Sequence, residues 1–300
     1  MTKEEIMAME AGRDLDVRVA EDVMGCKFVR DEIFGDIQIY DSGMWIALQP
    51  YSEDKSAALP VLERLKEHYG VKVDINSFEG RWEVNLRKGG IDYYYPDLRA
   101  NSFSEATCKA ALLIALTRNQ HEELVDAIIK FELDMFQEVR TAEPSLCKDS
   151  PETFKVMRRM THSVLSTKTL ESYLEDLHKA KAEGRNLLTE KYARMDNRIP
   201  PLKTNRFLDD IVKLESRWMR ELSQKYPHIF TGGSGSFDLY LSSELETYSD
   251  ETLKLYFGDV SRAEKEGRNL AEERYTKLSQ QIGYSSINDM ERKKGPGRRK

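Results

Sequence analysis

Sliding the chain along itself by 83 residues lays residues 207–289 on residues 124–206 without a gap. In that register Tyr173, Asp176, Ala180, Glu190 and Tyr192 meet Tyr256, Asp259, Ala263, Glu273 and Tyr275, and Glu183-Gly184-Arg185-Asn186-Leu187 meets Glu266-Gly267-Arg268-Asn269-Leu270. Upstream, Asp126, Ile128, Lys130, Glu132 and Glu138 fall on Asp209, Ile211, Lys213, Glu215 and Glu221. Roughly twenty identities in one register are far more than chance supplies, and they read as two copies of one ancestral segment. A long-period repeat is physically a unit that completes its core against its neighbour. The expectation is an all-α, internally duplicated domain over residues 119–290, its copies forming a pseudo-symmetric pair around a shared core.

Each copy reads as helix, Pro-containing loop, helix, then one long helix. Leu174, Leu177, Ala180, Gly184, Leu187, Lys191 and Met195 recur at three or four residues, so the apolar stripe runs through the glycine. That spacing puts Gly184 inside the helix, where a glycine kept in both copies implies a close backbone neighbour; the alternative is that Gly184 ends one helix and Arg185 begins another. Glu132 and Glu215 sit on the apolar stripes of their helices, and a charge there must be paired or change its protonation. One reading pairs them with Arg185 and Arg268 as buried struts. The sharper reading turns Glu132, Glu215, Asp176 and Asp259 toward one polar cavity on a pseudo-two-fold axis, a general acid/base or metal site. Arg185, Asn186, Arg268 and Asn269 suit a carboxylate or phosphate ligand, and Tyr173, Tyr192, Tyr256 and Tyr275 complete the candidate site. Glu175-Asp-Leu-His178 has the spacing of a helical di-iron ligand pair, but both residues point off the stripe and Gly258 and Ser261 replace them in the second copy. No metal is expected, and no cofactor is indicated.

Charge narrows the partners. With 46 basic and 52 acidic residues the net charge is −6, which gives no general case for nucleic acid or an anionic membrane. Six of the last nine residues are basic, interrupted by Gly295-Pro296-Gly297, so residues 291–300 read as a solvated, disordered tail with at most a weak nucleic-acid contact. Cys26, Cys108 and Cys147 are odd in number and far apart, implying a reducing compartment rather than a disulfide framework. The start of the chain has no apolar leader segment and no run is long enough for a membrane span, so a cytoplasmic protein is expected.

Residues 1–118 change period from 3.6 to 2. Residues 2–24 read as one helix closing at Gly25. Ile37 and Ile39 with Met44–Leu48 form a hairpin across Asp41-Ser42-Gly43, and residues 53–68 a helix stopped by Gly70. Val71, Val73 and Ile75 make one strand; Trp82, Val84 and Leu86, alternating with polar residues, make another. A last helix runs from Ser102 to Leu116, with Ser102 and Glu105 at capping-box spacing. The fold class is α+β: a small α/β sandwich domain followed by the duplicated helices. Trp45, Trp82 and Tyr93-Tyr94-Tyr95 could stack a base, although sheet-core and edge packing is the usual reason for aromatics on strands.

Two resemblances add to this reading. Val19-Ala-Glu-Asp-Val-Met-Gly25, Tyr51-Ser-Glu-Asp-Lys-Ser-Ala-Ala58 and Ser104-Glu-Ala-Thr-Cys-Lys-Ala-Ala-Leu-Leu113 resemble the phage ABA sandwich domain, which implies a phage or prophage setting and no particular activity. Glu132-Leu-Asp-Met-Phe136, Thr153-Phe-Lys-Val-Met-Arg158, Glu171-Ser-Tyr-Leu-Glu-Asp-Leu177, Gly184-Arg-Asn-Leu-Leu-Thr-Glu-Lys-Tyr-Ala-Arg-Met195 and Glu246-Thr-Tyr-Ser-Asp-Glu-Thr-Leu253 resemble an uncharacterised bacterial helical family, DUF4125. The chain departs from that pattern after Glu132, where Leu133 replaces an expected tryptophan, and around Cys147. Two functions compete: a phage-associated accessory protein whose helices bind a protein partner or a small anionic ligand, and an all-helical enzyme using the carboxylate, arginine and tyrosine candidates.

Overall fold

The computed structural model describes residues 1–67, 71–78, 81–88, 91–94, 98, 100–139, 150–231 and 237–295. The chain divides into two compact units, Met1–Gln120 and His121–Lys300. The first holds two small sheets and the second is helical.

In the first unit the expected single helix over 2–24 is broken. α1 is Lys3–Ala8 and α2 is Arg13–Arg18, which widens into a π turn over Val19–Val23. Gly12, at φ +136°, separates them by a backbone conformation that L side chains rarely adopt. Three antiparallel strands follow, β1 (Lys27–Asp31), β2 (Gly35–Ile39) and β3 (Trp45–Ala47), in the order β1-β2-β3. The β2–β3 hairpin is the expected one, with Ile39 opposite Trp45. β1 was not anticipated, because Lys27–Asp31 carries only Phe28 and Val29 as apolar residues. After α3 (Lys55–Glu67), β4 (Lys72–Phe78), β5 (Arg81–Lys88) and β6 (Ile91–Tyr94) make the second sheet. β6 is again one strand more than the alternation suggested, and Gly70 and Tyr95 lie outside the described residues. The core gathers Leu15, Val19, Val23, Val61, Leu65 and Val84 with Ala106, Ala110, Leu112 and Leu113.

α4 runs without interruption over Phe103–Glu138. Sequence spacing divided it into a sandwich helix ending at Leu116 and a repeat helix beginning near residue 124; the polar stretch between them is continuous helix. Its start is capped as expected in part: the Glu105 amide donates to Ser102 Oγ, while the Glu105 carboxylate accepts from Asn101 N–H rather than from the cap residue itself.

The second unit adds α5 (Pro151–His162), α6 (Thr167–Ala182), α7 (Leu187–Met195), α8 (Arg206–Lys225), α9 (Phe237–Leu245), α10 (Asp250–Lys265), α11 (Leu270–Gln281) and α12 (Ile287–Lys294). One core joins Val125, Ile128, Phe136, Leu170 and Leu177 from the earlier stretch to Ile211, Trp218, Leu245, Leu253 and Val260 from the later one. The long helix expected in each copy is two helices. Gly184 and Gly267 stand at φ +69° and +67°, just past the ends of α6 and α10. Arg185 N–H returns to Ala180 O and Gly184 N–H to Lys181 O, and Arg268 and Gly267 do the same toward Ala263 and Glu264. This is the Schellman stop, in which glycine supplies the left-handed residue. A Cβ on either glycine would meet nothing within 4 Å, so backbone conformation, and not a crowding neighbour, requires them. Residues 291–294, expected to open the disordered tail, continue α12 to Lys294, with Arg292 and Lys293 paired to Asp289; residues 296–300 lie outside the described residues.

Candidate functional site

α4 places Glu132 on the helix face that meets α5 and α6, and the residue is fully buried. Arg158, one turn down α5 from the buried Phe154, answers it through both ends of its guanidinium: Nε donates to Oε2 at 2.7 Å and Nη2 donates to Oε1. Tyr173 of α6 donates its hydroxyl to Oε1 at 2.8 Å, and His162 Nε2 lies 3.1 Å from both carboxylate oxygens. Arg158 turns its remaining N–H groups to Glu244 of α9, at 2.8 and 3.2 Å. Glu244 in turn accepts from Lys191 of α7 at 2.5 Å and from Tyr248 at 3.1 Å. The ring of Tyr240 lies 3.7 Å from the Lys191 ammonium. Two carboxylates and two cations thus balance inside the core. Balance is needed, since an unpaired buried charge costs several kcal/mol.

The electrostatics keep these groups ionised. Burial alone would raise the Glu132 carboxyl, but the charges of Arg158 and His162 and their hydrogen bonds outweigh it and hold it down to about 2. Burial is likewise overcome at Glu244, held well below the carboxylate range by Arg158 and Lys191, and at Lys191, raised by Glu244. Tyr173 and Tyr248 move up, through burial first and neighbouring charge second.

At the matching position α8 buries Glu215 completely. Its partner is Arg274 of α11, whose Nη1 and Nη2 donate to Oε2 and Oε1 at 2.6 and 2.7 Å. Tyr256 of α10 donates to Oε1 at 3.2 Å and accepts from Arg274 at 2.9 Å. Among the described residues nothing further joins this pair.

Both carboxylates singled out by sequence are closed in bidentate pairs with arginine, but with Arg158 and Arg274 rather than Arg185 and Arg268. Arg185 makes a half-exposed bidentate bond to Glu190, and Arg268 bonds Glu273 and Glu266. Asn186 and Asn269 are the N-caps of α7 and α11, accepting from Thr189 and Glu272 N–H. Their amide groups also donate to Met135 O and Trp218 O, docking each short helix on the helix that carries the buried glutamate. The repeated Glu-Gly-Arg-Asn-Leu run is thus a helix stop, a surface clamp and a helix start in succession. Asp176 and Asp259 do not converge with Glu132 and Glu215. Asp176 accepts from Ser249 N–H and Thr252 Oγ1 at the start of α10, and Asp259 from Ser166 N–H and Thr169 Oγ1 at the start of α6. Tyr192 packs beside Phe136, and Tyr275 sits edge-on to Phe230.

Arg158, His162, Lys191, Glu244 and Arg274 escaped the sequence reading. Lys191 and Arg274 share one register position, so a retained positive charge on an apolar stripe was the available signal. Phe154, Arg158 and His162 recur at four residues, which marks one buried face of α5.

Elsewhere in this unit an open cleft of about 350 Å³ is lined by Asp209, Val212, Lys213, Ser216, Arg220 and Asp238, among others. No grouping of His, Cys, Asp and Glu among the described residues could hold a metal ion. None of the described helices is long and apolar enough to cross a membrane.

A small strand-bearing unit followed by helices built around buried ion pairs defines an α+β protein. Residues 122–292 match the family model described as Protein of unknown function (DUF4125), and residues 18–112 match the Phage ABA sandwich domain. The first match covers more than half the chain, and the chain belongs to that family. No curated protein and no solved structure matches it.

Proposed function

We propose that the helical unit is a rigid binding module in a phage- or prophage-associated accessory protein of the cytoplasm, taking a protein partner or a small anionic ligand, and that its halves are copies of one segment. The observation that carries this is the closure of Glu132 and Glu215 by bidentate arginines inside the core. A general acid or base works best with its pKa near the operating pH, whereas Glu132 is held at about 2. The duplication reading draws support from the shared Schellman stops, the shared Asn caps and the reciprocal Asp176 and Asp259 bonds. For a small anion, the α8–α9 cleft offers Lys213 and Arg220, which have no ion-pair partner among the described residues.

A second reading, an all-helical enzyme, is favoured by one observation: His162 Nδ1 is buried without a hydrogen-bond partner beside four buried charges. Urea midpoints of Glu132→Gln and Glu215→Gln separate the two. Both should fall, by on the order of 3–5 kcal/mol, because each leaves an arginine inside the core without its counter-charge. Unchanged or raised midpoints would move the enzyme reading ahead, since functional carboxylates are held at the expense of stability. Calorimetric titration with orthophosphate, wild type against Arg220→Glu, then tests the cleft: saturable heat lost in the variant supports a small anion, and no heat leaves the protein partner.

A further inference from the structure

Of the eleven large apolar side chains left exposed among the described residues, four lie between Ile33 and Trp45. Ile33 is 83%, Phe34 59%, Met44 59% and Trp45 46% exposed. Two of them meet across the strand, the rings of Phe34 and Trp45 lying 4.7 Å apart although β2 separates them in the chain, and Ile33 and Met44 are their immediate neighbours in sequence. Contiguous exposed apolar surface of this kind marks interaction sites, whereas scattered single residues do not.

The ridge borders a free sheet edge. β3 pairs with β2 alone. Tyr40 N–H to Met44 O and Leu48 N–H to Asp36 O fix the hydrogen-bonded positions of this antiparallel pair, and their alternation turns the amide groups of Trp45 and Ala47 away from β2. Ala47 O is taken by the Gln49 side chain. The Trp45 N–H and C=O and the Ala47 N–H remain directed outward, the pattern that accepts an added strand.

Charge selects the occupant. Between Asp31 and Asp54 there is no lysine or arginine, and six carboxylates occur: Asp31, Glu32, Asp36, Asp41, Glu53 and Asp54. Asp36 is answered by Arg13 and Arg30 from outside the stretch; the other five make no ion pair among the described residues, and Asp31 accepts from the Ile33 and Phe34 amides at the ridge itself. A second copy would bring the same carboxylates face to face, and nucleic acid would bring phosphates against them; both juxtapositions are repulsive. We propose that β3 and the Phe34–Trp45 ridge dock an extended segment of a partner protein, apolar at alternate positions and flanked by Lys or Arg. This surface lies in the first unit and is independent of the binding function assigned to the helices.

The test uses the full chain and a synthetic peptide of alternating valine and threonine with a lysine pair at either end. Tryptophan emission, read against Trp45→Phe to isolate the Trp45 signal, should shift to the blue and saturate. Binding should weaken about tenfold or more in Ala47→Pro, which removes an edge donor, and in Glu32→Lys/Asp41→Lys, which reverses the rim and leaves the strand intact. Circular dichroism confirms that each variant is folded. The proposal is overturned by absence of saturable binding, by equal binding of a glutamate-flanked peptide, by tighter binding of a single-stranded oligonucleotide, or by a dimer in sedimentation that Trp45→Ala dissolves.

Discussion

The surroundings of Glu132 and of Glu215 begin from the same parts. Glu132, Tyr173 and Lys191 stand in register with Glu215, Tyr256 and Arg274. Around Glu215 these three close on one another. Around Glu132 only Tyr173 still reaches the carboxylate; Lys191 does not, because α5 and α9 insert Arg158 and Glu244 between them. The register partners of Arg158, His162, Glu244 and Tyr248 are Leu241, Leu245, Thr161 and Leu165, none of which is ionisable. The same three positions therefore carry either a simple pair or a charge relay, and the difference lies in the charged residues that α5 and α9 add around Glu132.

Removing the arginines is the most direct way to break the comparison. Arg158→Met leaves Glu132 without its arginine and Glu244 with Lys191 alone, and should cost at or beyond the upper end of about 3–5 kcal/mol. Arg274→Met abandons one buried carboxylate and removes a side chain that is itself 10% exposed, and should lie nearer about 3 kcal/mol. Equal losses in urea midpoint would mean that Glu244 adds nothing to the Glu132 cluster.

Acid sharpens it. The folded Glu132 carboxyl lies below its ordinary value, so its contribution is fully present above about 4.5 and is lost as pH falls toward about 2. The window corresponds to about 3 kcal/mol for a fully buried group. Stability measured between those limits should fall more steeply for wild type than for Glu132→Gln, which has no carboxyl to protonate there; parallel curves would contradict the Glu132 ion pair.

Smaller effects test the stops. Gly184→Ala and Gly267→Ala should each cost about 1 kcal/mol, the penalty of a left-handed residue with a Cβ, and the two should agree because their surroundings are alike. A loss several times larger at either would indicate crowding. Arg185→Ala, at a half-exposed clamp, should change the midpoint by less than about 1 kcal/mol.

These expectations show which parts of the molecule were legible in sequence. Register identity singles out residues that perform the same task twice, and the Glu-Gly-Arg-Asn-Leu run does so as a stop and cap. The same reasoning misassigned Arg185 and Arg268 as the buried partners, because the true partners are not identical between halves: Arg274 faces Lys191, and Arg158 faces Leu241. Glu132 and Glu215 were legible because a charge on an apolar stripe stands out in any helix. Gly184 was misplaced because the stripe keeps its phase across the break, so periodicity alone could not see α6 end. In the first unit β5 was evident from strict alternation, whereas β1 has too few apolar residues to announce itself.

The exchanged aspartates have a kinetic consequence. α6 is completed at its start by Asp259 and α10 by Asp176, across sequence separations of 93 and 73 residues. Each helix has its own serine N-cap, but the amides of those serines and the hydroxyls of Thr169 and Thr252 donate to the distant aspartate, so the two ends should be completed together, late, when distant segments have already met. In the folded protein the same coupling should make them open together: amide hydrogen exchange in the first turns of α6 and α10 should report one shared opening free energy, and Asp176→Ala should accelerate exchange at both ends.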